Sequence, residues 1–480
     1  MPSATHPTLA AALETLETQC ELSADTLRAI AARFRERLVH GLSHDGANMA
    51  CIPSFVTGVP DGSEKGTYLA LDLGGTNLRC CQVKLSGGGQ FTMKQEKYKV
   101  SDALKTGPAH DLFAYIAKSI GTFLKDYGDQ EECANATRED PLLVGFTFSF
   151  PVEQTAIDRG TLIKWTKGFN CPDAPGMEVV SLLQSCIDEA GIPARVNALV
   201  NDTVGALLAH GYQQGGALIG GIFGTGTNGA YVESVERIQK MNPEFAHGES
   251  TMIINTEWGG FDDERAALPI TLFDNVVDRT SIRPRHHAFE KMISGMYLGE
   301  LVRAVLIHLI DSLHLFDGYS SDAMNEQYAF DTAYVSAVLD DKAPEAPSSP
   351  TRAVILQTMG MKKEHVSDQD LKTVRRVCEI VGRRAGRLSS VAIAAVIQHT
   401  GHDQRPQKES IDVGVDGSVY EHLPHFEEWL REGLRDLLGE ENEKRVKIDL
   451  AKDGSGVGAA LCALQAKKQA DRAHARRQTM

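Results

Sequence analysis

The residues of this chain that could do chemistry are carboxylates, hydroxyls and a lysine, each beside a glycine or a strand end. In Leu69-Ala-Leu-Asp-Leu-Gly-Gly-Thr-Asn-Leu-Arg79 the first five residues read as a buried strand, apolar except for Asp72. Gly74, Gly75, Thr76 and Asn77 then supply a turn whose N–H groups and hydroxyl can approach a ligand, because glycine permits φ > 0 and has no Cβ to obstruct. Such a turn can cradle phosphate. Asp72 would face that phosphate through a divalent cation, since a bare carboxylate repels it. An ordinary hairpin turn is the plainer reading of the same residues. Val413-Gly-Val-Asp-Gly-Ser-Val419 repeats the apolar–Asp–Gly–hydroxyl pattern and offers Gly417 and Ser418 as a second turn.

Val200-Asn-Asp-Thr203 ends a strand and opens a helix. Asp202 therefore sits beside a helix N-terminus, where it can accept a proton from a hydroxyl, or where it or Thr203 is simply the cap. Thr147-Phe-Ser-Phe-Pro151 and Trp165-Thr-Lys-Gly-Phe169 frame a loop. Pro151 stops the strand near Ser149, and Thr166 and Lys167 stand on a stretch expected to be mobile between Gly160 and Gly168. Phe223-Gly-Thr-Gly-Thr-Asn-Gly229 contains G-x-G-x-x-G, but Ala230-Tyr-Val-Glu continues as a strand rather than a helix, so it reads as a hairpin and not a dinucleotide fingerprint. No P-loop and no HRD or DFG set accompanies it. Glu257 and Glu290 each fall at an element boundary. Ala451-Lys-Asp-Gly-Ser-Gly-Val-Gly458 leads into the last helix with residues small enough for a ligand to approach the backbone.

The elements that must position these residues follow from hydrophobic periodicity. Strand-like runs at Tyr68–Leu73, Leu78–Leu85 and Phe91–Tyr98 form a meander; Leu142–Phe150, Val179–Ala190, Ala194–Val200 and Thr203–Tyr212 then alternate strand and helix. The second half repeats the opening with Ala217–Phe223, Gly229–Val235 and Met252–Thr256, then long helices around 286–315 and 367–398 and strands at Ile411–Val415 and Val446–Leu450. Residues 1–15 read as a loose lead-in, Gly128–Asp140 as a surface loop and Asp340–Pro350 as a loop or short disordered insert. Three antiparallel strands followed by β-α-β-α, twice over, predict an α/β chain with a two-lobed actin-like ATPase (ribonuclease H-like) fold and an interdomain cleft. The expected division is 68–200 plus 451–480 as a small lobe and 16–67 plus 201–450 as a large lobe, with ligands meeting between them.

Composition bounds the function classes. The chain has 480 residues, 42% hydrophobic and 24% charged, with a net charge of −15, which argues against nonspecific nucleic-acid or anionic-membrane binding. No apolar run is long enough to span a bilayer. Nine cysteines at irregular spacing, without a CxxC pair, predict a reduced, cytoplasmic chain rather than a disulfide or zinc scaffold. Lys467, Lys468, Arg472, Arg476 and Arg477 make a basic C-terminal stretch that reads as a solvated, fraying helix.

These motifs, in this order from about residue 70 to 465, resemble the hexokinase/glucokinase family of sugar kinases, closest in look to fungal glucokinases. The resemblance implies ATP-dependent phosphorylation of a hexose at its 6-hydroxyl, with Asp202 as catalytic base and Lys167 neutralising the transferring phosphoryl group. It implies that Ser149, Thr166, Lys167, Asn201, Asp202, Asn228, Glu257 and Glu290 hold the sugar. Asp72, Gly74, Gly75, Thr76, Asn77, Arg79, Thr225, Gly417 and Ser418 would serve ATP, with Mg²⁺ held mainly through the phosphates and water and no dedicated protein metal site. The family usually has Ala or Ser where Gly260 stands, and often Gln where His287 stands; these departures bear on sugar selectivity. The expected partners are hexose and MgATP, without nucleic acid, in a monomer or weak homodimer. N-acetylglucosamine kinase, a sugar-sensing regulator without turnover and a filament-forming actin-like protein remain as alternatives.

Overall fold

The computed structural model describes residues 8–166, 168–242, 248–406, 409–451 and 453–479. Its first strands are β1 (Ile52–Pro53), β2 (Lys65–Leu73), β3 (Asn77–Gly87), β4 (Gln90–Lys99), β5 (Leu142–Phe148), β6 (Val152–Ala156), β7 (Arg159–Leu162) and β8 (Ala194–Val200). They are followed by β9 (Ile219–Phe223), β10 (Thr227–Ser234), β11 (Thr251–Asn255), β12 (Ile411–Asp416) and β13 (Val446–Leu450). One sheet runs β4-β3-β2-β5-β8 and the other β1-β11-β10-β9-β12-β13, with β6 and β7 pairing apart. In the first, β2, β5 and β8 are parallel and β3 and β4 return antiparallel; in the second, β9, β12 and β13 are parallel and β10 and β11 return. The two cores share one topology, as the repeated pattern predicts.

Local sequence explains the strand roles. The central run of β2, Tyr-Leu-Ala-Leu, is buried on both faces, as a strand flanked by neighbours and covered by helices must be. The edge strand β4 alternates half-buried and exposed residues and carries lysines that discourage pairing with another chain.

Three helices matter for the site: α1 (Asp202–Gln214), α2 (Asp368–His399) and α3 (Gly454–Thr479). Helix α1 lies on β9, β10 and β12, α3 lies on β2, β5 and β8, and the two helices pack on each other. They approach so closely that a Cβ on Gly205 would lie 2.6 Å from the Gly454 carbonyl oxygen. One apolar cluster, including Val204, Leu207, Val457 and Leu461, continues from one sheet to the other through this pair.

The structure departs from the sequence reading at several places. Leu9–Cys20 is a helix capped by Thr8, not a loose lead-in. Residues 286–315 divide at Ser294 into Ala288–Ile293 and Gly295–Asp311. Asp340–Pro350 is ordered: the buried Asp341 carboxylate accepts bonds from the Thr351 N–H at 3.0 Å and its hydroxyl at 2.7 Å. The stretch 128–140 contains a short helix, Gln130–Asn135. Strand β2 begins at Lys65, inside the segment 16–67 that the sequence places in the large lobe. The basic C-terminal stretch is helical through Thr479, and Arg472 and Arg476 converge on Glu249. Among the described residues no helix is long and apolar enough to cross a membrane.

Candidate active site

Strand register places the predicted residues along two sheet edges. In the first sheet Leu73 pairs with Phe148 and Thr147 with Val200, so β2, β5 and β8 end level. The turn Gly74–Asn77, Ser149 and the Asn201-Asp202 pair all leave that edge. In the second sheet Asp416 pairs with Ile222 and Val415 with Leu450, so Gly224–Gly226, Gly417-Ser418 and Asp453 leave the matching edge. Ligands of open α/β sheets bind outside the carboxyl ends of parallel strands. Arg79 on β3 joins the two edges: it pairs with Asp72 at 3.4 Å and Asp453 at 3.6 Å and donates to the Ser455 hydroxyl.

The segment around Asp202 corrects one local expectation. Asn201, not Asp202 or Thr203, is the N-cap of α1; its side-chain oxygen accepts from the Thr203 N–H at 2.9 Å and the Thr203 hydroxyl at 2.6 Å. Asp202 is the first helical residue, half-buried, and its Oδ1 also accepts from the Thr203 N–H at 2.9 Å. The helix N-terminus favours negative charge at that position.

Asn228, Asn255 and Glu257 form a closed polar cluster. Glu257 Oε1 accepts from Asn228 at 3.1 Å and Asn255 at 2.8 Å, while Asn228 donates to Asn255 Oδ1 at 2.8 Å. Glu257 itself has φ 55°, in the left-handed region that is strained for a residue with a side chain. Glu290 reaches the same hairpin from its own helix, its Oε2 accepting from the Thr227 N–H at 2.9 Å. Beneath them lies Trp258, fully buried, whose indole N–H donates to the Thr227 hydroxyl at 2.9 Å. The ring lies where a Cβ on Gly229 would be, which explains that glycine. Sequence reasoning missed Asn255 and Trp258, although both lie within two residues of Glu257.

The two remaining turns touch backbone to backbone. A Cβ on Gly224 would sit 3.2 Å from Gly417 Cα. Gly417 has φ 118°, and a Cβ there would lie 2.5 Å from the Phe223 carbonyl. Thr225 is exposed on the hairpin, and helix Gly295–Asp311 starts against it, with the Gly295 and Met296 N–H groups donating to Gly224 and Thr225 carbonyls. Gly417→Ala is expected to store about 1–3 kcal/mol of backbone strain, readable as a lowered denaturation midpoint. By contrast Gly74 does not use the left-handed region, so its value at the first turn is an unobstructed backbone rather than φ > 0.

Asp453 was not singled out from sequence, because its pairing with Arg79 joins separate elements. Burial pushes the Asp416 carboxyl up, and Asp453 and Glu421 add to this against the opposing Arg79 charge. A divalent cation beside Asp72, Asp416 and Asp453 would relieve that crowding.

The loop after β5 is partly folded. Hairpin β6–β7 occupies its first half. Trp165 then packs on Phe150 and stacks on Phe169 at 5.4 Å, and its N–H donates to the Cys171 carbonyl at 2.9 Å. Ser149 and Thr166 are half-buried on this side; Lys167 lies outside the described residues.

His287, where relatives often have Gln, lies with Nδ1 3.2 Å from Glu290 Oε1. That bond, together with the charges of Glu290, Asp263 and Glu257, raises the imidazole above its usual value despite burial. The stabilisation is therefore complete below about pH 6.5, the unfolded value, and is lost as pH rises through the raised folded value. Denaturation midpoints of the native protein and His287→Gln should differ most near pH 6 and converge as the pH is raised. Gly260, the other departure, is needed for packing: a Cβ there would meet the Asn48 carbonyl at 2.6 Å.

Comparison with known proteins bears on all of this geometry. Family models described as Hexokinase match residues 12–212 and 218–465. The chain is 40% identical to a glucokinase of Aspergillus niger, over 94% of this chain and 95% of the relative. It is 39% identical to Hexokinase-1 of Saccharomyces cerevisiae, over 95% and 92%. Among solved structures, a hexokinase from Schistosoma mansoni complexed with glucose superposes with a TM-score of 0.79 at 32% identity, covering 95% of this chain and 99% of the other. A second hexokinase crystal structure superposes with a TM-score of 0.82 at 30% identity, covering 96% and 99%. With the actin-like fold, the repeated sheet topology and these relatives in agreement, the chain belongs to the hexokinase family.

Proposed function

We propose that this protein is an ATP-dependent hexose kinase of the glucokinase/hexokinase type, moving the γ-phosphoryl of MgATP to the 6-hydroxyl of glucose or a related hexose, with Asp202 as general base. The observation that carries the reading is that two carboxylates meet one hairpin, Glu257 accepting from Asn228 and Glu290 from the Thr227 N–H. An uncharged ligand rich in hydroxyls needs such acceptors and amides. Asp202 at the end of β8 faces the cleft from the other sheet's edge, where it can take the 6-hydroxyl proton as the oxygen attacks phosphorus. Asn201, Ser149, Thr166 and Lys167 complete the sugar's surroundings. Gly74–Asn77, Thr225, Gly417 and Ser418 hold the phosphates, and Arg79 holds Asp72 in position. Mg²⁺, bound with ATP, supplies positive charge against the charge that spreads over the transferring group.

With lobes at 68–200 plus 451–480 and at 16–67 plus 201–450, Ser149, Thr166, Lys167 and Gly74–Asn77 would belong to the small lobe and Asp202, Asn228, Glu257, Glu290 and Gly417 to the large one, and closure of the two would exclude water from the reaction. The acidic chain, whose described cysteines are all free, suits the cytoplasm as a monomer or weak homodimer. The test is ADP release by purified protein with MgATP across glucose, mannose, fructose and N-acetylglucosamine. Turnover of glucose and mannose with little of fructose marks a glucokinase, and a broad response marks a general hexokinase. Turnover confined to N-acetylglucosamine would replace the substrate reading, and sugar binding without any turnover would make the protein a sensor.

A further inference from the structure

Two helices on the outer face of the first sheet, Ala109–Tyr127 and Val179–Glu189, bring together three residues that the phosphoryl-transfer site does not use. His110 stands in the first turn of one helix; Cys186 and Glu189 stand one turn apart at the end of the other. The imidazole nitrogen, thiol sulfur and carboxylate oxygen all lie within 4.8 Å of one another. His110 Nε2 is 3.3 Å from Glu189 Oε2. Two ligand bonds of about 2.1 Å opened to a tetrahedral angle span about 3.4 Å, so this pair is already spaced as one edge of a coordination tetrahedron.

The opposite ring nitrogen, Nδ1, faces Asp111 Oδ1 at 3.9 Å. That separation is longer than a hydrogen bond, so Asp111 contributes nearby negative charge rather than a fixed tautomer. The scaffold is firm. The Ala109 N–H donates to Asp173 at 2.9 Å at the start of one helix. Cys186, Ile187 and Leu183 of the other are buried in a cluster shared with Ile116 and Ile120 of the first. His110 and Glu189 are exposed while Cys186 is buried, leaving the outward position open to water.

We propose that His110, Cys186 and Glu189 form a three-ligand site for a borderline-soft transition-metal ion, Zn²⁺ by its donor set, which clamps the two helices together. The mixed N, S and O donors disfavour Mg²⁺, which prefers oxygen alone, so the site is independent of the cation that accompanies ATP. On binding, the Cys186 thiol gives its proton to solvent and coordinates as thiolate. The ligands are invisible to spacing rules because the histidine lies far from the cysteine in sequence.

The experiment uses the metal-free full-length protein, Zn²⁺ in equilibrium dialysis and Co²⁺ as a spectroscopic stand-in. The native protein should bind one Zn²⁺ that His110→Gln and Glu189→Gln each remove, both at exposed positions that spare the fold. Co²⁺ should give a near-ultraviolet thiolate charge-transfer band that Cys186→Ser abolishes. His287→Gln should leave binding intact, and hexose turnover should be unaffected by His110→Gln. Zn²⁺ binding that survives both exposed-ligand variants, binding lost in His287→Gln, absence of stoichiometric binding, or a Co²⁺ complex without a thiolate band would each overturn the site.

Discussion

Asp202→Ala should lower kcat by about 10²–10⁴-fold, the usual contribution of a positioned general base, while the protein still folds and still binds sugar. The fold should survive because Asn201 carries the cap of α1 and bonds both the N–H and the hydroxyl of Thr203. The Asp202 carboxylate bonds that same N–H, which keeps its Asn201 acceptor in the variant. Sugar affinity should persist because the cluster of Asn228, Asn255 and Glu257 belongs to the other sheet and is closed without it. Measuring turnover beside glucose titration separates the two effects. A variant with native kcat would remove Asp202 from the base role, whereas one that binds no sugar would make it chiefly a binding residue.

The largest expected loss of stability comes from a pair far from the cleft. Arg384 in the middle of α2 is 2% exposed and Asp274 is 6% exposed. The guanidinium donates to both carboxylate oxygens, at 2.8 and 2.7 Å. Asp274 also closes the capping box of its helix by accepting from the Thr271 N–H and hydroxyl. Burial alone would push the Asp274 carboxyl up, but Arg384 and Thr271 outweigh it and hold it below the usual range. Asp274→Ala strands a buried cation and removes a cap, so a destabilisation of about 3–5 kcal/mol is expected, readable as a shift in denaturation midpoint. The native pair's own contribution should be present at neutral pH and fade as pH falls through the depressed value. Replacing both partners, as in Asp274→Leu with Arg384→Met, should recover much of the loss. If the single variant is as stable as the native protein, the cation is not isolated from water as its burial implies.

Much of the fold was legible because its signals are local. The runs of β2, β5, β8 and β12 are apolar and end in glycine or polar turns, and the spacing of meander strands repeats in both halves. Asp202, Glu257, Glu290 and the Gly417 turn could be proposed from sequence for the same reason, each lying in a short motif. What escaped depends on distant partners. Whether Asn201 or Asp202 caps α1 is decided by rotamer, not by residue type. Val-Glu-Gln-Thr-Ala of β6 has weak alternation and becomes a strand only because β7 returns beside it. The convergence of Asp72 and Asp453 on Arg79 requires β2, β3 and the segment after β13 to meet, which no window of sequence contains. Trp258 reads as an ordinary core aromatic until Gly229 is seen to make room for its ring.

The packing of α3 has a consequence for how this chain acquires its shape. The helix that covers β2, β5 and β8 begins at Gly454, whereas the last of those strands ends at Val200. Until α3 docks, one apolar face of the first sheet has no cover, and the intervening residues must close a very long loop before that contact is rewarded. The first sheet therefore cannot finish as an independent unit. Refolding from denaturant should pass through a collapsed species in which the second sheet and α2 are protected from hydrogen exchange while β2 and β5 still exchange. Such a species offers unpaired, apolar strand surface, so dilution and chaperones, rather than catalytic ligands alone, will govern the yield of native protein.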